Sequence, residues 1–438
     1  MKHIFCQFFM IICMVAAFSL HASAVDEDTI VRVGLYYGSS ALQEAKLDND
    51  DADGGKGYEI GWFDDDREFE DDEEIDSECI TIEPDGEGLR ILDTDTGDVL
   101  YETDEDTLAV QPNSDLTWFK QNVYRGAFEY RNLDGKITVI NYVNIEDYVK
   151  GVVPYEMTPS WEIEALKAQA VCARSYVWGS MDKHEKEYGF DVCNTTNCQV
   201  YKGEVRATDN SNDAVDETAG EILYYDDEPV IGFFFSSDGG ATEDAENVWG
   251  YPYPYLKGVE DPYEDTETAY VGYWTKTLTA DEIADKLRDA GKKIGEVCDV
   301  SITKFTDMGN VNELTITDTD GNVVVLKNSS CRTTLGLNSI RYTVSGSDGT
   351  SDKEPAKKTT SPIGAVSRVI GGAVANASIE VTGGSGSVSA KGSSFVFDGA
   401  GWGHHVGMSQ HGAKCMADEG YDYVEILTFY FTDIEVDD

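Results

Sequence analysis

The chain has 438 residues, room for about two or three domains, and carries 83 Asp plus Glu against 33 Lys plus Arg, a formal net charge of -50. Long-range repulsion by such a surface excludes duplex DNA, RNA and anionic lipid headgroups as partners. The excess keeps the protein soluble and says little about its fold.

A basic start, an apolar stretch from Ile4 to Leu20 and the small residues Ala22-Ser23-Ala24 read as a secretory signal peptide, residues 1–24, cleaved before Val25. The expected location is therefore secreted, in the cell wall, with no membrane association beyond that leader. Seven cysteines would remain, from Cys79 to Cys415, an odd and scattered set that does not read as a disulfide-built scaffold.

Residues 25–117 form an acidic, β-rich region. TIVRVGLYY from Thr29 to Tyr37 alternates as a strand does, and short strands continue from Cys79 to Leu108. Between them Asn49, Asp51, Asp53 and Gly54 resemble half of a calcium loop, but Ile60 stands where a bidentate Glu is needed. A solvated acidic loop is the preferred reading there.

Residues 118–438 carry the mixed helix and strand patterns. Asp134-Gly135 marks a hairpin turn, and Asn144 caps a short helix expected to stop at Gly151. Glu156 follows, framed by Pro154 and Pro159, and a second helix is expected from Thr158 as N-cap. Its Ile163, Leu166, Ala170, Ala173 and Val177 recur at helical spacing, which predicts one buried face. Asp209 to Gly220 reads as a helix, and ILYYDDEPVIGFFFSS as a hairpin whose second strand is apolar. Thr279 and Glu282 are spaced as a capping box. From 345 to 394 the composition shifts to Gly, Ser, Lys, Thr and Pro, a flexible insert. The fold class expected is α+β, short helices with antiparallel strands.

Three polar, glycine-bearing turns group as a candidate site: the Glu156 turn, Ser237 to Thr242, and Gly401 to Gln410. Glycine is costly in a folded loop, so several beside Trp402, His404, His405, Ser409 and Gln410 suggest backbone packed close to a ligand. Metal ligation by the two histidines is disfavoured, because no carboxylate stands at a zinc-site spacing beside them.

The blocks VVPYEM…SWEIEALKAQAVCARSYV, CNTTNCQVYKG, FFFSSDGGATED…VWGYPYPYLKGVED, RTTLGLNSIRYTV and GWGHHVGMSQHGAKCMADEGYDYVEIL resemble, in order, those of the SpoIID/LytB family. That resemblance implies a peptidoglycan lytic transglycosylase acting on the MurNAc-β-1,4-GlcNAc bonds of peptide-free glycan strands and leaving 1,6-anhydro ends. It implies Glu156 as the single acid and base, since the sugar's own C6 hydroxyl is the nucleophile. Lys167, Gln169, Arg174, Tyr201, Ser237, Gly239, Gly240, Trp402, His404, Ser409 and Gln410 are the residues expected around the glycan, although for Lys167 and Arg174 pairing with acidic neighbours is the preferred reading. The other function the family name carries is a non-catalytic wall-binding module that enhances a cell-wall amidase.

Two departures stand out. Ser237-Asp238-Gly239-Gly240 replaces the more usual Thr-Ser-Gly-Gly, adding a negative charge at the turn that is expected to perturb substrate contact or to give Glu156 a like-charge neighbour. Asn197 precedes Cys198 where some members have a zinc-ligating His. No cofactor is expected to be required; a Cys193–Cys198 disulfide is preferred to zinc at those two thiols, with His184 judged too distant to complete a site.

Overall fold

The computed structural model describes residues 28–49, 57–265, 272–346, 351–353, 366–370, 373–377 and 388–437. The expected signal peptide, the acidic residues 51–54 and most of the insert lie outside them. The fold is α+β: two large sheets, antiparallel but for the Val192–Cys193 edge strand, which runs parallel to Ile30–Tyr36, with smaller sheets and a cluster of helices.

A seven-stranded sheet runs in the spatial order Val192–Cys193, Ile30–Tyr36, Lys136–Asn144, Ala127–Leu133, Thr107–Pro112, Tyr58–Phe63 and Phe69–Ile75. A six-stranded sheet orders Asn122–Tyr124, Thr117–Phe119, Ala45–Asp48, Cys79–Asp85, Gly88–Asp93 and Val99–Thr103. Strands from before and after Thr117 thus share both sheets. The turn at Asp134-Gly135 has positive φ at both residues, 54° and 75°, which suits the twist of the hairpin it closes.

The helix capped by Asn144 is longer than expected. It is α1, Ile145–Glu156, and Asn144 accepts the Glu146 amide at 2.8 Å. Gly151 does not end it, because a glycine stops a helix by turning left-handed and this one stays helical. Its missing side chain makes room for Tyr201, whose ring would lie 2.4 Å from an added Cβ. Gly151→Ala is expected to cost about 1–2 kcal/mol in urea unfolding, overpacking outweighing the gain in helix propensity.

The second helix, α2, runs Ile163–Trp178 from Glu162 as N-cap, not from Thr158. Residues 158–162 instead form a turn in which the Trp161 amide donates to Thr158. Nor is a single face buried. Ala165, Ala168, Gln169, Cys172 and Arg174 are covered as fully as Leu166 and Ala170. The reason is α2's central place: it packs on α1, on α3 (Asp209–Asp216), on the strand Ile222–Tyr225, and on two C-terminal helices. A helix of small residues can be crossed closely on several sides.

Of the apolar run after Pro229, only Phe234–Phe235 is a strand, and it pairs in parallel with Met408–Ser409 instead of completing a hairpin. A second hydrophobic core gathers around Trp274, Ile283, Leu314, Tyr342 and Phe397. Its helix α4, Ala280–Asp289, has the Thr279–Glu282 capping box as read from sequence. The chain closes with α5, Gln410–Glu419, and α6, Tyr423–Tyr430. No described helix is long and apolar enough to cross a membrane.

Candidate active site

Glu156 is the last residue of α1. Pro154 sits within its last turn, and the Met157 amide closes the helix on Val153 at 2.9 Å before the backbone becomes extended. Sequence reading set a helix N-terminus beside this carboxylate, which would favour its ionised form. The structure puts it on a helix C-terminus, where the dipole disfavours negative charge. Burial then pushes the Glu156 carboxyl above its ordinary range, against two opposing hydrogen bonds.

Those bonds come from the Val200 amide, 2.9 Å from Oε1, and from the Gln410 side-chain amide, 3.5 Å from Oε2. Val200 is held in place by its neighbours. Gln199 accepts the Tyr148 hydroxyl and donates to the Ala173 carbonyl, while Tyr201 donates to Asn141 at 2.6 Å and stacks on Tyr148. Tyr201 is itself buried, so it aims the Val200 amide and does not touch a ligand.

Gln410 joins the second wall to the first. Its amide also donates to Gln169 at 3.1 Å, so α5 and α2 meet at the carboxylate. The Ser237 and Gly401 turns are laced together: the Ser237 amide donates to the Trp402 carbonyl and the Trp402 amide to that of Ser237. Gly239 and Gly240 have φ of 66° and 113°, and a Cβ on Gly239 would meet Ala400 and Gly401 at 2.7 Å. Glycine is required there by both conformation and contact. Trp402 leaves 45% of its surface exposed, with Trp249 and Tyr251 also exposed. Aromatic faces of this kind offer broad apolar contact with a polar rim.

His404 is half-buried between Phe235 and Trp249, accepts the Val406 amide on Nδ1, and is pushed down to about 4 by burial. His405 is fully buried and stacks on Phe235 at 5.3 Å.

Two of the residues grouped with the site stand elsewhere. Arg174 has no exposed surface; it pairs with Glu146 and donates to the carbonyls of Glu221 and Val215. Lys167 pairs with Glu164 and Glu217. Asp238 does not face Glu156. It lies against Asp261 and Glu264, where burial and these like charges raise its carboxyl.

Glu264 was not singled out from sequence. Its carboxylate accepts the Ser237 hydroxyl, the Asp238 amide at 3.0 Å, the Gly239 amide at 3.4 Å and the Ser409 hydroxyl at 2.7 Å. It thereby ties together both glycine-bearing turns. Nothing in the acidic run around it marks it in advance, because its role depends on residues up to 145 positions away.

Cys193 and Cys198 are free thiols, not a disulfide. The turn after α2 brings His184 in, its Nε2 3.3 Å from the Cys198 sulfur. The three ligand atoms lie within 4.8 Å of one another, so the distance expected from sequence is closed by folding. The hydrogen bond between the two thiols lowers the Cys193 thiol and raises that of Cys198.

The family described as Stage II sporulation protein matches residues 133–225. An uncharacterized protein of Brachyspira hyodysenteriae is 32% identical over 72% of each chain. The Stage II sporulation protein D of Bacillus subtilis is 30% identical over 68% of this chain and 75% of its own. The Bacillus subtilis amidase enhancer is 32% identical over 65% of this chain but only 39% of its own length. With the first two of these relatives matched over more than two thirds of the chain, the protein belongs to the SpoIID/LytB family.

Proposed function

We propose that this protein acts on the bacterial cell wall as a secreted lytic transglycosylase, cutting MurNAc-β-1,4-GlcNAc bonds of glycan strands. The observation that carries the reading is Glu156 itself, at the position where the family resemblance puts the acid, its carboxyl raised by burial and held by the Val200 amide and the Gln410 side chain. Ordinary glycoside hydrolases use a second carboxylate as nucleophile or to activate water, a part that the sugar's own C6 hydroxyl takes in a lytic transglycosylase. Here a neutral Glu156 protonates the leaving oxygen; as its conjugate base it then takes the C6 hydroxyl proton while that oxygen closes on the anomeric carbon. Trp402, exposed on the Gly401 turn, stacks on a sugar ring.

Incubating the chain from Val25 with peptide-free glycan strands should release 1,6-anhydro-MurNAc ends, read by mass spectrometry. Binding without any such product would favour the second reading, a module that enhances an amidase. Likeness to an amidase enhancer supports that alternative.

Gln410→Ala tests the electrostatics. The Gln410 amide lowers the Glu156 carboxyl, so its removal should raise it. Cleavage needs the protonated acid and falls as pH rises through its pKa. The alkaline limb of the rate profile is therefore expected to move to higher pH; an unmoved limb would refute the contact.

His184, Cys193 and Cys198 fit a zinc ion with three protein ligands. Bound there, zinc would supply a cross-link for the loop leading to Val200 and no chemical step.

A further inference from the structure

Asp238, Asp261 and Glu264 are 0%, 6% and 8% exposed, and each offers a carboxylate oxygen within 4.8 Å of the other two. Two ligands on one calcium ion can be separated by up to about twice its 2.3–2.6 Å bond length. Asp261 and Glu264 are fixed as ligating carboxylates usually are, by outer hydrogen bonds. Asp261 accepts the Tyr263 amide at 2.8 Å, the Glu264 amide at 3.1 Å and the Tyr430 hydroxyl at 2.6 Å. Glu264 accepts the four donors already described.

Asp238 is different. Its Oδ1 takes the Gly240 amide at 2.6 Å, but its Oδ2 is fully buried with no donor, in contact with carboxylates. Among the described residues none of the three makes an ion pair. The neighbouring Arg341 is buried too and its charge acts on Asp238 and Glu264, but among the described residues it makes no ion pair with them, and its guanidinium donates to the Met308 carbonyl. Buried charges are paired or hold metals, and one guanidinium set against three carboxylates, one of them with an orphaned oxygen, leaves positive charge missing.

We propose that these three side chains form a divalent-cation site, and that its ion is calcium. The donors are all hard oxygens, with no sulfur or imidazole to select zinc. Magnesium dehydrates reluctantly and seldom occupies an all-protein cage, whereas calcium accepts mono- and bidentate carboxylates with water completing the shell. The ion would clamp the Ser237 turn to the segment 261–264 and, through Glu264 and Ser409, to the start of α5. This site does not depend on the reaction assigned above.

The test uses the whole chain from Val25, stripped of metal and returned to about 150 mM NaCl, which screens loose binding to the acidic surface. Roughly 1 mM CaCl2 should raise Tm by about 5 °C, with no comparable response to MgCl2. One tightly bound calcium per chain should survive gel filtration, counted by elemental analysis. Asp238→Asn keeps the acceptor for Gly240 but removes a charge, and should abolish both effects; Glu70→Gln, on an exposed strand, should leave them intact. Equal Tm in calcium and in chelator, or no retained calcium in the native chain, overturns the proposal and leaves a proton shared between Asp238 and Asp261. A calcium response undiminished in Asp238→Asn overturns it as well. If that variant does not fold, the native chain's calcium count decides.

Discussion

Glu156→Gln is expected to lower the rate of 1,6-anhydro-MurNAc release by at least about 100-fold while leaving glycan binding in place. Gln can still accept the Val200 amide, so the end of α1 should keep its place, but it has no proton to give the leaving oxygen. Stability supplies a second readout with a definite sign. Burial raises the folded-state carboxyl above its unfolded value, so the fold prefers it neutral, and the native chain loses stability as pH rises through the raised pKa. Gln carries no such loss. The variant should match the native protein in acid and melt at equal or higher temperature at pH 7. Cleavage as fast as native would remove Glu156 from the mechanism, and a lower Tm at pH 7 would show that its carboxylate is a structural anion instead.

Arg174→Ala should be among the most destabilising single changes in the chain, costing about 3–5 kcal/mol in urea unfolding. The guanidinium has no exposed surface and meets both oxygens of Glu146, at 2.7 Å and 2.5 Å. Removing it leaves Glu146 nearly buried with an uncompensated charge and takes from the Glu221 carbonyl the donor it has in Arg174. Glu146 lies in the first turn of α1 and Glu156 at its last residue, so the pair locks the helix that carries the catalytic carboxylate against α2. Arg174→Met, which keeps bulk and loses charge, combined with Glu146→Gln should recover part of the loss. A cost below about 1 kcal/mol for Arg174→Ala would mean the pair behaves as a surface bridge.

Elements with local causes were legible before any fold was known. Asn144, Thr279 with Glu282, and Asp134-Gly135 act on backbone within a few residues, so their helix starts and turn appear where read. The boundary at Gly151 was not legible, because what decides it is Tyr201, fifty positions on, needing the space of a missing side chain. Likewise the periodicity of α2 shows apolar spacing but not how many neighbours will cover it, and four helices and a strand meet there.

The site divides in the same way. By itself the sequence determined the chemistry on offer: one carboxylate between prolines, two glycine-bearing turns, two cysteines and an acidic surface. Only the tertiary structure decided how these are used. It put Glu156 at a helix C-terminus, turned Arg174 and Lys167 to ion pairs, and brought His184 to the cysteines. It gave Glu264 the task of holding both turns. The physical reason is that pKa, pairing and coordination depend on burial and on neighbours within a few ångströms, and folding draws those neighbours from positions that spacing along the chain does not relate.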